Sequence, residues 1–206
     1  TVNVDGGTLS SSDKIFVGAN SDGVSGAGVL NVTNGGTCTF CTAGNVFRVP
    51  RHDTVGQEGV VNIIDGTVTV SNNMHVGGWG PGKIYIGPSA TLNTEDRMYW
   101  NSDNEGGTVL IDVNGGTWNA DTPYYDAILN HYGDSKLKIR NGGTVNAPNC
   151  IRVGKETGAT NTTSEIYIDG GTLNVGNELR LGWRENSGTH NMNMLSGEIN
   201  TEFLYL

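Results

Sequence analysis

The sequence predicts an all-β protein, a parallel β-helix (β-solenoid) of about eight three-stranded coils wound in the right-handed sense. Three observations carry that reading. A short phrase, cleanest as Asp169-Gly170-Gly171-Thr172-Leu173-Asn174-Val175, recurs along the whole chain. Close copies lie at Asp5-Gly6-Gly7-Thr8, Asn34-Gly35-Gly36-Thr37, Asn114-Gly115-Gly116-Thr117 and Asn141-Gly142-Gly143-Thr144. Asp65-Gly66-Thr67 has one glycine fewer, and Ser89-Ala90-Thr91 and Ser196-Gly197-Glu198 are degenerate. Aligned on Thr8, Thr37, Thr67, Thr91, Thr117, Thr144, Thr172 and Glu198, the copies stand 24 to 30 residues apart, a spacing typical of solenoids and arrays. Between the glycine steps, apolar residues alternate with polar ones, the period of strands and not of helices.

Each repeat reads as three short strands. The first precedes the glycines, as in Leu30/Val32, Ile84/Ile86 and Ile166/Ile168. The second follows them, as in Val68/Val70, Leu92, Trp118 and Leu173/Val175. The third lies about nine residues past the threonine, as in Met74/Val76, Met98/Trp100 and Leu179/Leu181. Two repeats carry extra residues before it, so Phe47/Val49 and Ala127/Leu129 take its place. Side chains flip faces with period 2, so the apolar members point inward and close a coil around a narrow core. Left-handed coils of hexapeptide type repeat at shorter, stricter intervals, which favours the right-handed winding.

The Gly-Gly step has a physical reason. Glycine reaches positive φ without steric cost, and a preceding Asn or Asp bonds to nearby backbone and tolerates the left-handed region. If Gly143 is the residue at positive φ, a Gly143→Val change strains the backbone and destabilises the stack. Stacking places Asp5, Asn34, Asp65, Asn114, Asn141 and Asp169 above one another as a structural turn ladder. A calcium reading of the same residues requires a nonapeptide period that the chain lacks. No metal or cofactor is therefore expected, and no catalytic residue is assigned.

The unbroken repeat over 206 residues argues for a single domain. Glycine, at 32 residues, is used by the turns. A net charge of −9 disfavours nucleic acid and anionic membrane surfaces as partners, and no apolar run is long enough to span a membrane as a helix. The sequence opens directly in a strand without Met or a leader, and reads as a processed product or a piece of something longer. Cys38 and Cys41 stand close enough to pair only with strain, and Cys150 reads as a small packed residue. Asn31 and Asn161 match the glycosylation acceptor pattern.

The phrase at Asp169–Val175, followed by Glu178-Leu179-Arg180-Leu181-Gly182 and a Gly/Asn-rich loop, resembles the bacterial secreted β-solenoids with autotransporter-type strand repeats. These include proteins carrying a C-terminal sorting tag in Planctomycetes and Verrucomicrobia. The resemblance is one of repeat grammar and covers essentially the whole chain. It implies secretion or surface display and an adhesive or scaffold role, and it brings no catalytic residues. Neither the sorting tag nor a barrel-forming translocator is seen in this sequence.

Three faces are candidates for function. The second strand presents Thr8-x-Ser10, Thr37-x-Thr39, Thr67-x-Thr69, then Thr-x-Asn from Thr91 to Asn174, a pattern similar to the arrays of ice-binding solenoids. It is also what a half-exposed strand face favours. The third-strand side gathers Phe16, Arg48, His75, Tyr99, Ile128, Arg152 and Arg180, with His52, Trp79, Trp100, His131, Tyr132 and Trp183 as a candidate glycan face, because aromatic rings stack on sugar carbons. Packing of loops onto the coil is the competing reading there. The ends show no polar cap of the kind solenoids use for solubility, and open edges pair with other chains. The leading expectation is a non-enzymatic extracellular structural solenoid, displayed on a surface or assembled end to end with itself into a fibre. A carbohydrate-directed β-helix, binding or degrading a polysaccharide, comes next, and an ice-binding protein third.

Overall fold

A computed structural model describes residues 1–18, 26–50, 57–78, 80–100, 107–121, 133–153, 162–182 and 188–206, together with the backbone of 127–129. The described residues form strands and turns without a helix. All pairings between rungs are parallel, in one continuous sheet system. A representative rung comprises Gly59–Ile63, Thr67–Val70 and Met74–Val76. The last two rungs run as the long strands Thr163–Leu181 and Thr189–Tyr205, each bending through all three sides. The irregular third strands fall where the spacing places them, at Phe47–Val49 and Ala127–Leu129. The protein is thus an all-β parallel solenoid, and it winds about six turns. That is fewer than the eight glycine-turn sites.

Register holds through the stack. One inner column of the first strand runs Val4, Val32, Ile63, Ile86, Val113, Ile139, Ile168, Met194. On the second side Leu9, Cys38, Val68, Leu92, Trp118, Val145, Leu173 and Ile199 share a column. These side chains merge into a single apolar core. A lone rung has nothing to cover its inner face, so burial, worth about 1.5–3 kcal/mol for each large apolar side chain, arrives only when rungs stack. Aromatic pairs fill the wider cross-sections: Phe40 on Phe47 at 5.3 Å and Trp100 on Trp118 at 6.1 Å between ring centroids. The buried indole of Trp118 donates from Nε1 to Thr94 Oγ1 at 3.2 Å, which explains a fully buried threonine on an inward position.

The two glycines of the turn have different duties. Gly142 adopts φ +79°, and a Cβ added there meets nothing within 4 Å. Gly143 has no positive φ. Its added Cβ would lie 2.3 Å from the carbonyl oxygen of Val113 in the preceding rung. The condition of positive φ is thus not met at Gly143: the first glycine makes the bend, and the second lets neighbouring backbones approach.

Candidate functional site

Outward side chains stand in columns because every strand sits in register above the last. Thr8, Thr37, Thr67, Thr91, Thr117, Thr144 and Thr172 form one such column, which closes at Glu198. Parallel strands lie about 4.8 Å apart, so this is a regular rank of hydroxyls. Two residues further on, Ser10, Thr39 and Thr69 lead into Asn93, Asn119, Asn146, Asn174 and Asn200. Here the amides bond one another. Asn93 Nδ2 donates to Thr69 Oγ1 at 3.3 Å. Asn119 donates to Asn93, Asn146 to Asn119, Asn174 to Asn146 and Asn200 to Asn174, each at 2.9 Å.

The expected turn ladder forms only in part. Asn34 donates to Asp5, Asn141 Nδ2 donates to Asn114 Oδ1 at 2.6 Å, and Ser196 Oγ donates to Asp169 Oδ1 at 3.0 Å. No described side-chain bond joins Asp65 to a neighbour, and the run is one of separate pairs. Turn residues slip in register: the partner of Asp5 is Thr33, not Asn34, and pairing shifts around Asp169. Strand positions do not slip, so the longest amide ladder lies on the second strand. The Thr-x-Asn spacing was the signal for it.

The first-strand face begins as a similar ladder, with Asn31 donating to Asn3 at 2.7 Å and Asn62 to Asn31 at 2.8 Å. Asn31 is thus engaged on both sides, while the second acceptor-pattern residue, Asn161, lies outside the described residues. Charged pairs follow. Arg140 clamps Asp112 through Nε at 2.9 Å and Nη2 at 3.0 Å, and these bonds hold the guanidinium pKa above its ordinary value. Lys136 meets Glu165 at 2.5 Å. That bond, supplemented by one from Asn193 and opposed by burial, holds the Glu165 carboxyl below the usual range. Lys83 pairs with Glu58.

On the third side, Phe16, Arg48, His75, Tyr99, Ile128, Arg152, Arg180 and Tyr205 are aligned. Their polar groups are engaged with each other. His75 and Tyr99 rings lie 5.0 Å apart, and Arg97 Nη1 donates to Tyr99 OH at 3.2 Å. Arg152 and Arg180 both reach Glu178, at 3.4 and 2.9 Å, and Arg180 lies over the Tyr205 ring at 4.5 Å. Among the proposed glycan-face residues, Trp100 requires correction. It is fully buried and stacked on Trp118, because its position in the strand points into the core, so it offers no ring to a sugar. His52, Trp79, His131, Tyr132 and Trp183 lie outside the described residues.

The cysteines are free thiols. Cys38 is fully buried, and desolvation pushes its thiol up to about 11. Burial also raises Cys41, so neither presents a thiolate at neutral pH. Among the described residues no group of three or more His, Cys, Asp or Glu could hold a metal ion.

The remaining features are the two ends. At one, a 480 Å³ hollow opens between Leu9, Ile15, Val17, Leu30 and Phe40. At the other, a 420 Å³ hollow lies between Leu181, His190, Met192 and Leu206. His190 sits there with both ring nitrogens shielded and without a hydrogen-bond partner, and burial lowers its pKa. Large exposed apolar side chains gather at these ends: Val2 is 50% exposed, Leu195 70% and Leu206 85%, beside Met194, Phe203, Leu204 and Tyr205. No family model, curated protein or solved structure matches the chain.

Proposed function

We propose that this protein is a non-enzymatic structural solenoid of the extracellular space, a stiff rod displayed on a surface or lengthened into a fibre through its ends. The observation that carries the reading is the contrast between sides and ends. Along the sides, the described outward columns are largely engaged in rung-to-rung ladders and ion pairs. Among the described residues, the strands of the outermost rungs pair on one side, and apolar side chains in the columns that form the interior core are exposed there. Such edges are templates for further strands, and exposed apolar patches of this kind mark contact surfaces. The secreted and scaffold roles come from the resemblance of the repeat phrase, and the acidic surface suits a chain that avoids nucleic acid and anionic lipid.

Light scattering with negative-stain imaging of the purified chain tests this. Rods of constant width and growing length are expected as concentration rises. A monodisperse monomer at high concentration would overturn the assembly reading.

A further inference from the structure

We propose that Asn34 is a site of spontaneous covalent modification, where attack by the Gly35 backbone nitrogen expels ammonia and turns a paired amide into a carboxylate facing Asp5. The reaction needs only water and hydroxide, and it proceeds whether or not rods form.

The sequence holds three Asn-Gly steps, Asn34-Gly35, Asn114-Gly115 and Asn141-Gly142. A glycine has no Cβ to shield its nitrogen from the preceding side chain, so in an unfolded chain the three are chemically alike. The fold makes them different. The attacking atom is the glycine nitrogen, and it must first give up its proton. Gly115 N–H is held by the Arg140 carbonyl at 3.0 Å, and Gly142 N–H by the Gly170 carbonyl at 2.6 Å. Gly35 N–H has no partner among the described residues, and both Asn34 and Gly35 are exposed. A Cβ added at Gly35 would meet nothing within 4 Å, so this step has room to turn, whereas one added at Gly115 would lie 3.3 Å from the Pro88 ring.

The missing acceptor traces to the following rung. Residues 33–36 lie against residues 64–66, between the paired positions Val32/Ile63 and Thr37/Thr67. Residues 140–143 lie against 169–171 in the same way. The middle residue of the shorter turn is Gly170 in the second case, at φ +72°, and Asp65 in the first, outside the left-handed region. Asp65 thus stands where the phrase has lost a glycine, and with it the backbone conformation in which Gly170 accepts.

Hydroxide takes the Gly35 proton. The nitrogen pair then bonds to Asn34 Cγ, the Cγ–Nδ2 bond breaks, and Nδ2 leaves as ammonia with a proton from water, which restores the hydroxide. Water opens the five-membered imide at either carbonyl, leaving aspartate or, with Cβ drawn into the main chain, isoaspartate. The group lost is the one that Asn34 uses: its Nδ2 donates to Asp5 Oδ1, which also accepts from Thr33 Oγ1 at 3.2 Å. An ionised acid at residue 34 only accepts, so like charges face each other where a bond joined two rungs, and opposed like charges destabilise paired strands. Isoaspartate also lengthens the main chain in a turn with no slack, since a Cβ at Gly36 would already lie 2.6 Å from the Val4 carbonyl oxygen.

Peptide mapping by mass spectrometry, with isoaspartate detection, on the full chain held in mildly alkaline buffer tests this. Asn34 should convert first, with Asn114 and Asn141 slower by roughly fivefold or more, the factor by which one amide hydrogen bond lowers the reactive population. In guanidinium chloride the three should convert at similar rates, since only the fold separates them. Equal rates in the folded chain, or Asn141 leading, would overturn the assignment. Asn34→Asp should unfold at lower urea than the parent at neutral pH, with the gap narrowing in acid as the facing carboxylates take up protons. Should that variant not fold, the converted fraction of the aged chain, separated by its added negative charge, gives the same comparison. An unchanged urea midpoint would overturn the opposition to Asp5.

Discussion

At the level of single residues, the glycine step divides its labour between two positions that look alike in the sequence. Gly142 needs backbone freedom but has space around it, whereas Gly143 needs absence of a side chain but has an ordinary φ. Asparagine tolerates the left-handed region, as Asn141 does at φ +53° next door. Gly142→Asn should therefore change stability by no more than about 0.5 kcal/mol, the range of surface substitutions. Gly143→Ala should cost about 1–3 kcal/mol, as overpacking does, because its methyl would meet the Val113 carbonyl. Urea unfolding of the two variants checks this, and a reversed order of cost would mean that the roles are exchanged. The Gly-Gly pair itself was legible in the sequence. Which glycine faces the rung beneath was not, since that depends on how closely two distant segments approach.

At the level of the rung, the closing strand Thr189–Tyr205 carries the features most sensitive to acid. His190 is held neutral by burial, its pKa below the ordinary 6.5. As pH falls through 6.5 the unfolded imidazole takes up a proton that the folded one resists, so stability drops with pH over that window. Glu165, whose partner Asn193 lies in the same strand, has a carboxyl depressed by Lys136 from an ordinary 4.5. Its contribution is present above 4.5 and is lost as pH falls through the lower folded value. Amide protection factors should therefore fall first in residues 189–205 between pH 7 and 5, while the rung of Thr67–Val70 keeps its protection. His190→Phe should remove most of that early loss. Uniform protection across this range would show that the closing rung does not respond to His190.

At the level of the whole molecule, charge and apolar surface act against each other. A net charge of −9 repels one copy from another, while the described residues of the outermost rungs offer exposed apolar side chains. Salt screens the repulsion, with a Debye length of about 10 Å at 0.1 M that shrinks to about 3 Å at 1 M, and leaves apolar contact intact. Assembly should consequently strengthen between these ionic strengths, read as a rise in mean particle mass by light scattering. Assembly that weakens with salt would mean that ion pairs hold the contact instead. The second-strand ladder ties successive rungs together, because Asn93, Asn119, Asn146 and Asn174 are each bonded on both sides.

The sequence by itself determined the solenoid: period-2 alternation, a spacing near 27 residues and a turn phrase that recurs at each rung leave few other ways to bury the apolar side chains. It also determined the threonine rank, because strand positions at a constant offset from the turn must stack. Tertiary structure alone decided the rest. The turn residues slip against one another, so the Asx ladder breaks into pairs while the second-strand asparagines bond continuously. The sequence read Trp100 both as an inward partner of Met98 and as a binding ring, and its full burial against Trp118 decides for the core. For Asn34 and Asn193 the amide direction was fixed by carboxylates of the preceding rung, Asp5 and Glu165, which can only accept. Local sequence sets which residues alternate and where the chain turns. Which of two equivalent groups donates, and which glycine is crowded, depends on atoms that only meet when rungs lie on one another.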